Sequence, residues 1–259
     1  MTKVERDKEY ENEPKRHILI QIMGVPASGK TTLGKHISEQ LGFSFVSEVS
    51  VDDHPLFKKY YKDSKKWSLL MQMSFLFDKR CQILGAEGSR EVGIIKLLEK
   101  GPVVSEPPIY QDGLYAQARL EQSPREMKQY RDFFEGMVGD DFQKPDLLVY
   151  IRLSFSTFLN RVRERAKRDP ARSVELEERE EYWKRLWELH EEWIEENPLD
   201  LNIIVINGDE LDFSKYDDVE EAKADFLLEF TKLARESFVD LETVRRKILE
   251  NVILPDALI

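Results

Sequence analysis

The sequence predicts an α/β fold in which a five-stranded parallel sheet is flanked by helices. Short apolar runs of strand length alternate with longer amphipathic stretches, which is the pattern of parallel strands joined by helical crossovers. The strands are predicted at residues 17–23, 44–48, 102–106, 146–153 and 202–207. Because ligands of such sheets bind beyond the carboxyl ends of the strands, the residues that end each strand are candidates for function.

Composition limits the classes of protein that fit. The chain has 259 residues, 41% of them hydrophobic, which is enough to bury one large core in a single α/β domain. A net charge of −11 argues against general nucleic-acid binding, and the single cysteine, Cys81, excludes an intramolecular disulfide framework. Since no apolar run has membrane-spanning length and the charged residues 1–16 contain no signal core, we expect a cytoplasmic protein with no membrane partner and a flexible N-terminal segment.

A glycine-rich turn follows the first predicted strand. Its sequence, Gly24-Val-Pro-Ala-Ser-Gly-Lys-Thr31, matches G-x-x-x-x-G-K-[ST], the phosphate-binding P-loop. In this motif backbone amides and the start of the next helix surround phosphate oxygens, the lysine reaches the outer phosphates, and the hydroxyl binds Mg²⁺. The predicted contacts to ATP or another nucleoside triphosphate are Gly24, Ala27, Ser28, Gly29, Lys30, Thr31 and Thr32.

Two further strands end in carboxylates, Glu48 and Glu106. Both are expected at the sheet edge that carries the P-loop. A carboxylate there acts as a general base for a hydroxyl nucleophile or as a ligand of Mg²⁺. A helix cap or a surface position is the ordinary alternative for either acid.

A basic stretch follows the fourth strand. Arg161, Arg165 and Arg168 are spaced by four and three residues, so they share one helical face before Pro170 ends the helix. One interpretation is a lid, at about residues 161–175, that closes over transferring phosphates. The other is a solvated face that pairs with the glutamates that follow.

From residue 18 to residue 230 the chain resembles the deoxynucleoside kinases. The resemblance is clearest in the segment SEVSVDDHPLFKKYYKDSKKWSLLMQMSFLFDKR after the second strand. In this segment a Glu is followed by Pro-Leu, a Tyr-rich stretch, a Trp and a Gln. The resemblance implies that Glu48 is the general base on the sugar 5′-hydroxyl and that Tyr61 contacts the 3′-hydroxyl. It also implies that Gln72 reads the base and that Trp67 shapes the pocket.

The resemblance continues in the second half of the chain. RVRERAKR is similar to the family's lid and implies phosphate clamps at Arg161 and Arg165, with Lys167 or Arg168 as a further cation. Glu175 matches the acid that holds the 3′-hydroxyl. The segment IIVINGDELDF resembles the last strand and the loop beneath the adenine, which implies that Asp209 and Phe213 lie there.

Two departures from the family affect the expected chemistry. The family's acid-Arg-Ser before Tyr-x-Asp is here Glu106-Pro-Pro, so a cation near the transferred phosphate is missing at Pro107. We expect Lys79, Arg80 or the lid to replace it. Family members that accept amino-bearing bases have an Arg seven residues after the Gln, and this Arg works together with the Asp of Tyr-x-Asp. In this chain the Arg position is occupied by Lys79, whereas the Asp is retained as Asp112. The retained Asp favours deoxyadenosine, deoxycytidine or deoxyguanosine over thymidine.

The resemblance implies a kinase domain at residues 17–230, followed by a helical extension at residues 231–259. The extension either enlarges the interface of a homodimer or covers the core. Two alternative functions remain. The protein is a nucleoside monophosphate kinase of the thymidylate kinase type, or it is a catalytically weak, nucleotide-binding regulatory member of the family. A switch or motor NTPase is disfavoured, because neither a Walker-B Asp nor an Asn-Lys-x-Asp motif ends a strand.

Overall fold

The computed structural model describes residues 17–48, 54, 56–85, 92–138 and 144–211. Its centre is a five-stranded sheet in which every pairing is parallel, with strand order β2-β3-β1-β4-β5. The strands are β1 (Leu19–Met23), β2 (Ser44–Val46), β3 (Val103–Ser105), β4 (Leu147–Arg152) and β5 (Ile203–Asn207). All five predicted strands are therefore confirmed. Each is shorter than predicted, and Glu48 and Glu106 lie just beyond the ends of β2 and β3.

Helices in the described residues connect the strands. They are α1 (Lys30–Leu41), α2 (Phe57–Lys62), α3 (Ser64–Leu84), α4 (Ile94–Leu98), α5 (Ile109–Leu120), α6 (Pro124–Val138), α7 (Phe155–Arg168) and α8 (Glu180–Glu196). A 3₁₀ helix, Pro170–Glu177, lies between α7 and α8. The basic stretch thus ends its α-helix at Arg168, as the following Pro170 predicts.

Strand β1 is central and fully buried, and apolar clusters cover both faces of the sheet. On one face Ile20 and Ile22 pack with Leu33 and Ile37 of α1. On the other face Met23 and Leu148 pack with residues of α5 and α8: Tyr110, Leu114, Leu189 and Ile194. Burial on both faces explains why the strands read as continuous apolar runs.

The glycine-rich loop after β1 has two backbone conformations that favour glycine. Gly24 has φ +157°, and a Cβ there would lie 2.8 Å from Ser28 Oγ and 3.0 Å from the Ile151 carbonyl. Gly29 has φ +100° and caps α1. Because side-chain-bearing residues rarely adopt these conformations, both glycines are required for the loop to close around its ligand.

Several predicted features lie outside the described residues: the N-terminal segment 1–16, Phe213 and the C-terminal extension. Among the helices that the structure does describe, none combines the length and the apolar composition needed to cross a bilayer.

Candidate active site

A cavity of about 740 Å³ opens at the carboxyl edge of the sheet. Its volume is in the range of small-molecule sites. Many of the predicted site residues line it: Ala27, Gly29, Lys30, Thr31, Thr32, Glu48, Tyr61, Gln72, Asp112, Arg161, Arg165 and Glu175. The fold therefore brings the P-loop, the first strand-end acid and the basic stretch to one cavity, although they are far apart in sequence.

The P-loop lysine is held within its own loop. Lys30 is 8% exposed, and its Nζ donates to the Gly24 carbonyl at 2.9 Å and to the Val25 carbonyl at 3.0 Å. Burial lowers the pKa of Lys30, whereas the charges of Glu48 and Glu106 act to raise it. Lys30 thus lies between the phosphate loop and both predicted acids.

The residues around Thr31 suit a magnesium ion. Both carboxylate oxygens of Glu106 are buried without a hydrogen-bond partner among the described residues. Burial raises the pKa of Glu106, and the charge of Lys30 and the nearby Thr31 hydroxyl act to lower it. In the described part of the chain no three His, Cys, Asp or Glu side chains form a metal cluster. Mg²⁺ at phosphate sites usually needs only one or two carboxylates in addition to substrate oxygens and water.

Gln72 and Asp112 present unpaired polar atoms to the cavity. Gln72 is 3% exposed and Asp112 is 7% exposed, and Gln72 Oε1 and Asp112 Oδ2 have no partner among the described residues. Burial raises the pKa of Asp112 from its ordinary 3.8 to about 7, with the charge of Lys79 acting in the opposite direction. Buried polar groups normally find partners, so these atoms are suited to bind a ligand with complementary donors and acceptors.

Tyr61 and Glu175 adjoin the basic stretch. Burial and the nearby Glu175 raise the pKa of Tyr61 well above 10, so its phenol keeps its proton. Glu175 accepts from Arg165 Nη2 at 2.8 and 2.9 Å and from Arg172 Nη1 at 3.3 Å. The acid predicted at the sugar therefore also holds the predicted phosphate clamp.

The cations of the basic stretch differ in their surroundings. Arg161, Arg165 and Arg168 all line the cavity, as their shared helical face predicts, whereas the exposed Lys167 pairs with Glu164 at 2.7 Å. The Arg161 guanidinium donates to three backbone carbonyls, those of Ser28 at 3.3 Å, Gly208 at 2.7 Å and Leu211 at 2.9 Å. Arg161 therefore ties the P-loop to the turn after β5.

The two predicted replacements for the missing cation, Lys79 and Arg80, have different hydrogen-bond partners. Lys79 is 4% exposed and donates to the Glu106 carbonyl and to Gln82 Oε1, both at 3.3 Å. Gln82 in turn donates to the Ser47 carbonyl, so Lys79 and Gln82 connect the ends of β2 and β3. Arg80 instead donates to the Val138 carbonyl at the end of α6. Arg80 is not part of the cavity lining, and this hydrogen bond directs it toward α6.

Two other expectations change. Trp67 does not line the cavity, because its position on α3 turns it away from Gln72. Its ring packs against Phe57 and Tyr60. The Nζ atoms of Lys59 and Lys66 each lie 5.3 Å from the centre of this ring. Asp209 accepts from the Ser154 N–H at 3.0 and 3.1 Å at the start of α7. Although burial acts to raise the pKa of Asp209, its hydrogen bonds lower it. In the structure Asp209 stabilises this helix end and does not line the cavity.

Part of the cavity lining and one buried contact were not predicted from the sequence. The additional residues include Phe57, Tyr60, Phe75, Tyr115, Arg172 and Tyr182. Tyr60 adjoins the predicted Tyr61, and Phe75 and Tyr115 lie one helical turn after Gln72 and Asp112, so a helical-face argument would have found them. Gln111, which contacts the P-loop at Gly24, lies inside the Tyr110-Gln-Asp112 segment that contains the predicted site residue Asp112.

The parallel sheet with a glycine-rich loop after β1, a buried lysine and strand-end acids defines a P-loop kinase. Residues 20–233 match the family model of the deoxynucleoside kinases. The chain therefore belongs to the deoxynucleoside kinase family, and it is an enzyme that phosphorylates deoxynucleosides at the expense of a nucleotide.

Curated relatives and solved structures agree with this assignment. The chain is 29% identical over 198 residues to a deoxyguanosine kinase of Bacillus subtilis (strain 168), covering 75% of this chain and 88% of the relative. It is 32% identical over 202 residues to a deoxyadenosine kinase of Lactobacillus acidophilus, covering 75% and 87%. A solved structure of deoxyadenosine kinase from M. mycoides with bound dATP matches with a TM-score of 0.64 and 26% identity, over 81% of this chain and 99% of that chain.

Proposed function

We propose that the enzyme transfers the γ-phosphate of ATP to the 5′-hydroxyl of a deoxynucleoside with an amino-bearing base. The single observation that carries this proposal is that one cavity is lined by Lys30 of the phosphate loop, by Glu48, and by Gln72 and Asp112. Gln72 Oε1 and Asp112 Oδ2 have no hydrogen-bond partner in the part of the chain that the structure describes. A phosphate-binding loop, a carboxylate that can accept a proton and polar atoms that can bind a nucleoside base thus line one cavity.

Glu48 is the proposed general base. It lines the cavity, and its charge acts on both Lys30 and Asp112, so it lies between the phosphate loop and the proposed base reader. Glu48 takes the proton of the 5′-hydroxyl, the oxygen bonds to the γ-phosphorus, and the bond from that phosphorus to the bridging oxygen of ADP breaks. Lys30, Arg165 and Arg168 stabilise the negative charge on the transferred group.

Thr31 and Glu106 are the proposed magnesium-holding residues. Glu106 offers two buried oxygens that have no hydrogen-bond partner within the described ranges, and the Thr31 hydroxyl lies close to them. When bound there, Mg²⁺ would neutralise negative charge on the phosphates of the donor. Burial raises the pKa of Glu106 and so favours the neutral form of its carboxyl group. A cation bound beside this carboxyl group would instead stabilise the ionised form.

Lys79 is the proposed replacement for the cation missing at Pro107. Its ammonium donates to the Glu106 carbonyl, and its pKa is lowered by burial while Glu48, Asp112 and Glu106 act to raise it. Lys79 lies behind the cavity lining, so it acts by balancing the charges of these acids. It is a positioning residue in this proposal.

The proposed base preference rests on Gln72 and Asp112. A side-chain amide offers both a donor and an acceptor, and an ionised Asp112 accepts from an exocyclic amine. The named relatives include a deoxyguanosine kinase and a deoxyadenosine kinase, and both of these bases carry an amino group. Deoxyadenosine, deoxycytidine and deoxyguanosine are therefore the proposed acceptors.

A substrate panel tests the function. Deoxynucleosides and their monophosphates are each incubated with ATP and Mg²⁺, and ADP release is measured. We expect turnover with an amino-bearing deoxynucleoside, little with thymidine, and none with a monophosphate; a monophosphate as the better acceptor would overturn the proposed substrate. Lys30→Met should be inactive but folded, whereas Lys35→Met, at an exposed position of the same helix, should retain activity.

We further propose that the enzyme is a cytoplasmic homodimer that serves nucleotide salvage. The single cysteine supports the compartment, and the amphipathic sequence of residues 231–259 supports the dimer. Light scattering coupled to size-exclusion chromatography measures the oligomeric state of the full chain and tests the dimer. The same measurement on a chain that ends at residue 230 tests whether residues 231–259 contribute to the dimer interface. Fractionation of cells that express the full chain tests the compartment.

A further inference from the structure

The first glycine of the phosphate loop is held by a side chain from another part of the chain. The Gly24 N–H donates to Gln111 Oε1 at 3.3 Å, and Gln111 Nε2 donates back to the Gly24 carbonyl at 3.3 Å. Gln111 is 1% exposed. One buried amide thus satisfies both backbone polar groups of a residue 87 positions earlier in the sequence.

The start of α5 carries Gln111 to the loop. Pro107 and Pro108 are buried and lead directly into this helix, and the Gln111 N–H donates to the Pro108 carbonyl at 3.0 Å. Ile109 is anchored in an apolar cluster with Leu76 of α3. Since each proline fixes its own φ, the segment that departs from the family pattern gives α5 a rigid start.

Gln111 shares an acceptor with the P-loop lysine. Lys30 Nζ donates to the Gly24 and Val25 carbonyls. If Lys30 Nζ turns from these carbonyls to the phosphates of a nucleotide, the Gly24 carbonyl loses this donor. Among the described side chains, Gln111 is the one that then still donates to Gly24. Because a buried carbonyl without a donor is costly, Gln111 lowers the cost of releasing Lys30.

We propose that Gln111 is a positioning residue for the phosphate donor. Its amide holds the Gly24 peptide in the conformation that cradles phosphate and keeps the Gly24 carbonyl paired when Lys30 turns to the nucleotide. The inference rests on the proposed function, because it requires the P-loop to hold a nucleotide. It assigns different roles to neighbouring residues of α5: Gln111 serves the donor and Asp112 serves the acceptor.

Calorimetric titration of the full chain with ADP and Mg²⁺, and separately with the fastest-reacting deoxynucleoside of the panel, tests this assignment. Gln111→Met removes both hydrogen bonds, and we expect it to weaken ADP binding by about tenfold while deoxynucleoside affinity changes by less than about twofold. Gln117→Met, a matched change on the same helix away from the P-loop, should leave both affinities unchanged. Unaltered ADP affinity in folded Gln111→Met, or an equal loss of both affinities, would overturn the inference.

Gln111→Glu is the second variant, because it keeps the shape of the side chain. At pH 8 its carboxylate still accepts from the Gly24 N–H but faces the Gly24 carbonyl with an oxygen that cannot donate. We expect ADP affinity to fall about tenfold here as well, and an unchanged value would contradict the proposal even if Gln111→Met does not fold. Failure of the wild-type enzyme to bind ADP would count against the proposed function itself, which separates the two outcomes.

Discussion

Arg165 Nη2 lies 2.8 Å from Oε1 and 2.9 Å from Oε2 of Glu175, whose side chain is 3% exposed. The pair joins a cation of the basic stretch to the acid that lies near Tyr61. In the proposed mechanism the first group serves the phosphates and the second serves the sugar. In that mechanism, occupancy of the sugar site would affect the orientation of the phosphate clamp through one carboxylate.

Replacing Glu175 with Gln should weaken this coupling. The amide keeps the shape but loses the charge, so the hydrogen bonds to Arg165 and to the sugar become weaker. Because a hydrogen bond to a charged group contributes about 1.5–3 kcal/mol, we expect the KM for the deoxynucleoside to rise by roughly tenfold to a hundredfold. Steady-state kinetics at saturating ATP measures this change. Glu177→Gln, at an exposed position of the same 3₁₀ helix, should behave like the wild type; an unchanged KM in Glu175→Gln would remove Glu175 from the sugar site.

Glu48→Gln separates catalysis from binding. Loss of the base should lower kcat by roughly 10²–10⁴-fold, the usual contribution of a positioned base, while the amide preserves the contacts that bind the nucleoside. Single-turnover kinetics and nucleoside titration measure the two quantities. Glu39→Gln, on the exposed face of α1, is the control. If nucleoside affinity falls and turnover of bound substrate does not, Glu48 is a binding residue.

Lys79 and Arg80 provide a comparison within one helix. Lys79→Met should lower kcat by at least about tenfold with a smaller effect on nucleoside KM, because it removes the buried charge among Glu48, Glu106 and Asp112. Arg80→Met should change kcat by much less, since its guanidinium donates to the Val138 carbonyl. Equal effects of the two substitutions would show that the charge of Lys79 has no specific role. Urea unfolding of both variants shows whether lost activity reflects lost folding.

Asp112 should make stability depend on pH. Its pKa is about 7 in the folded protein and about 3.8 in an unfolded chain, so between these values the folded state holds a proton that the unfolded state has lost. The free energy of unfolding attributable to Asp112 should therefore fall as pH rises from about 4 to about 7, by at most roughly 1.4 kcal/mol per pH unit. Asp112→Asn should gain stability relative to the wild type over this range.

Urea unfolding at several pH values measures this difference, with exposed Asp132→Asn as the control that should parallel the wild type. A constant difference between Asp112→Asn and the wild type across the range would show that the buried carboxyl does not titrate there. The same variant should also accept a different set of bases, because an amide cannot become an acceptor-only group.

The features of this protein that depend on neighbouring residues are predictable from its sequence. The P-loop is specified by glycines, a lysine and a threonine at fixed spacing, and its position after a buried strand and before α1 follows from local hydrophobic patterning. The same patterning located all five strands. It predicted that Glu48 and Glu106 lie close to the phosphate loop, because the carboxyl ends of parallel strands meet at one edge.

The direction in which each helical side chain faces depends on how the helices pack in the tertiary structure. Consecutive residues on a helix point about 100° apart, so Lys79 turns under the strand ends while Arg80 turns toward α6. The packing of α3 against its neighbours sets that rotation, and Trp67 leaves the cavity lining for the same reason. The bonds between Gln111 and Gly24, and between Arg161 and the turn after β5, join segments distant in sequence. No local pattern encodes them, because each depends on how separately formed elements pack together.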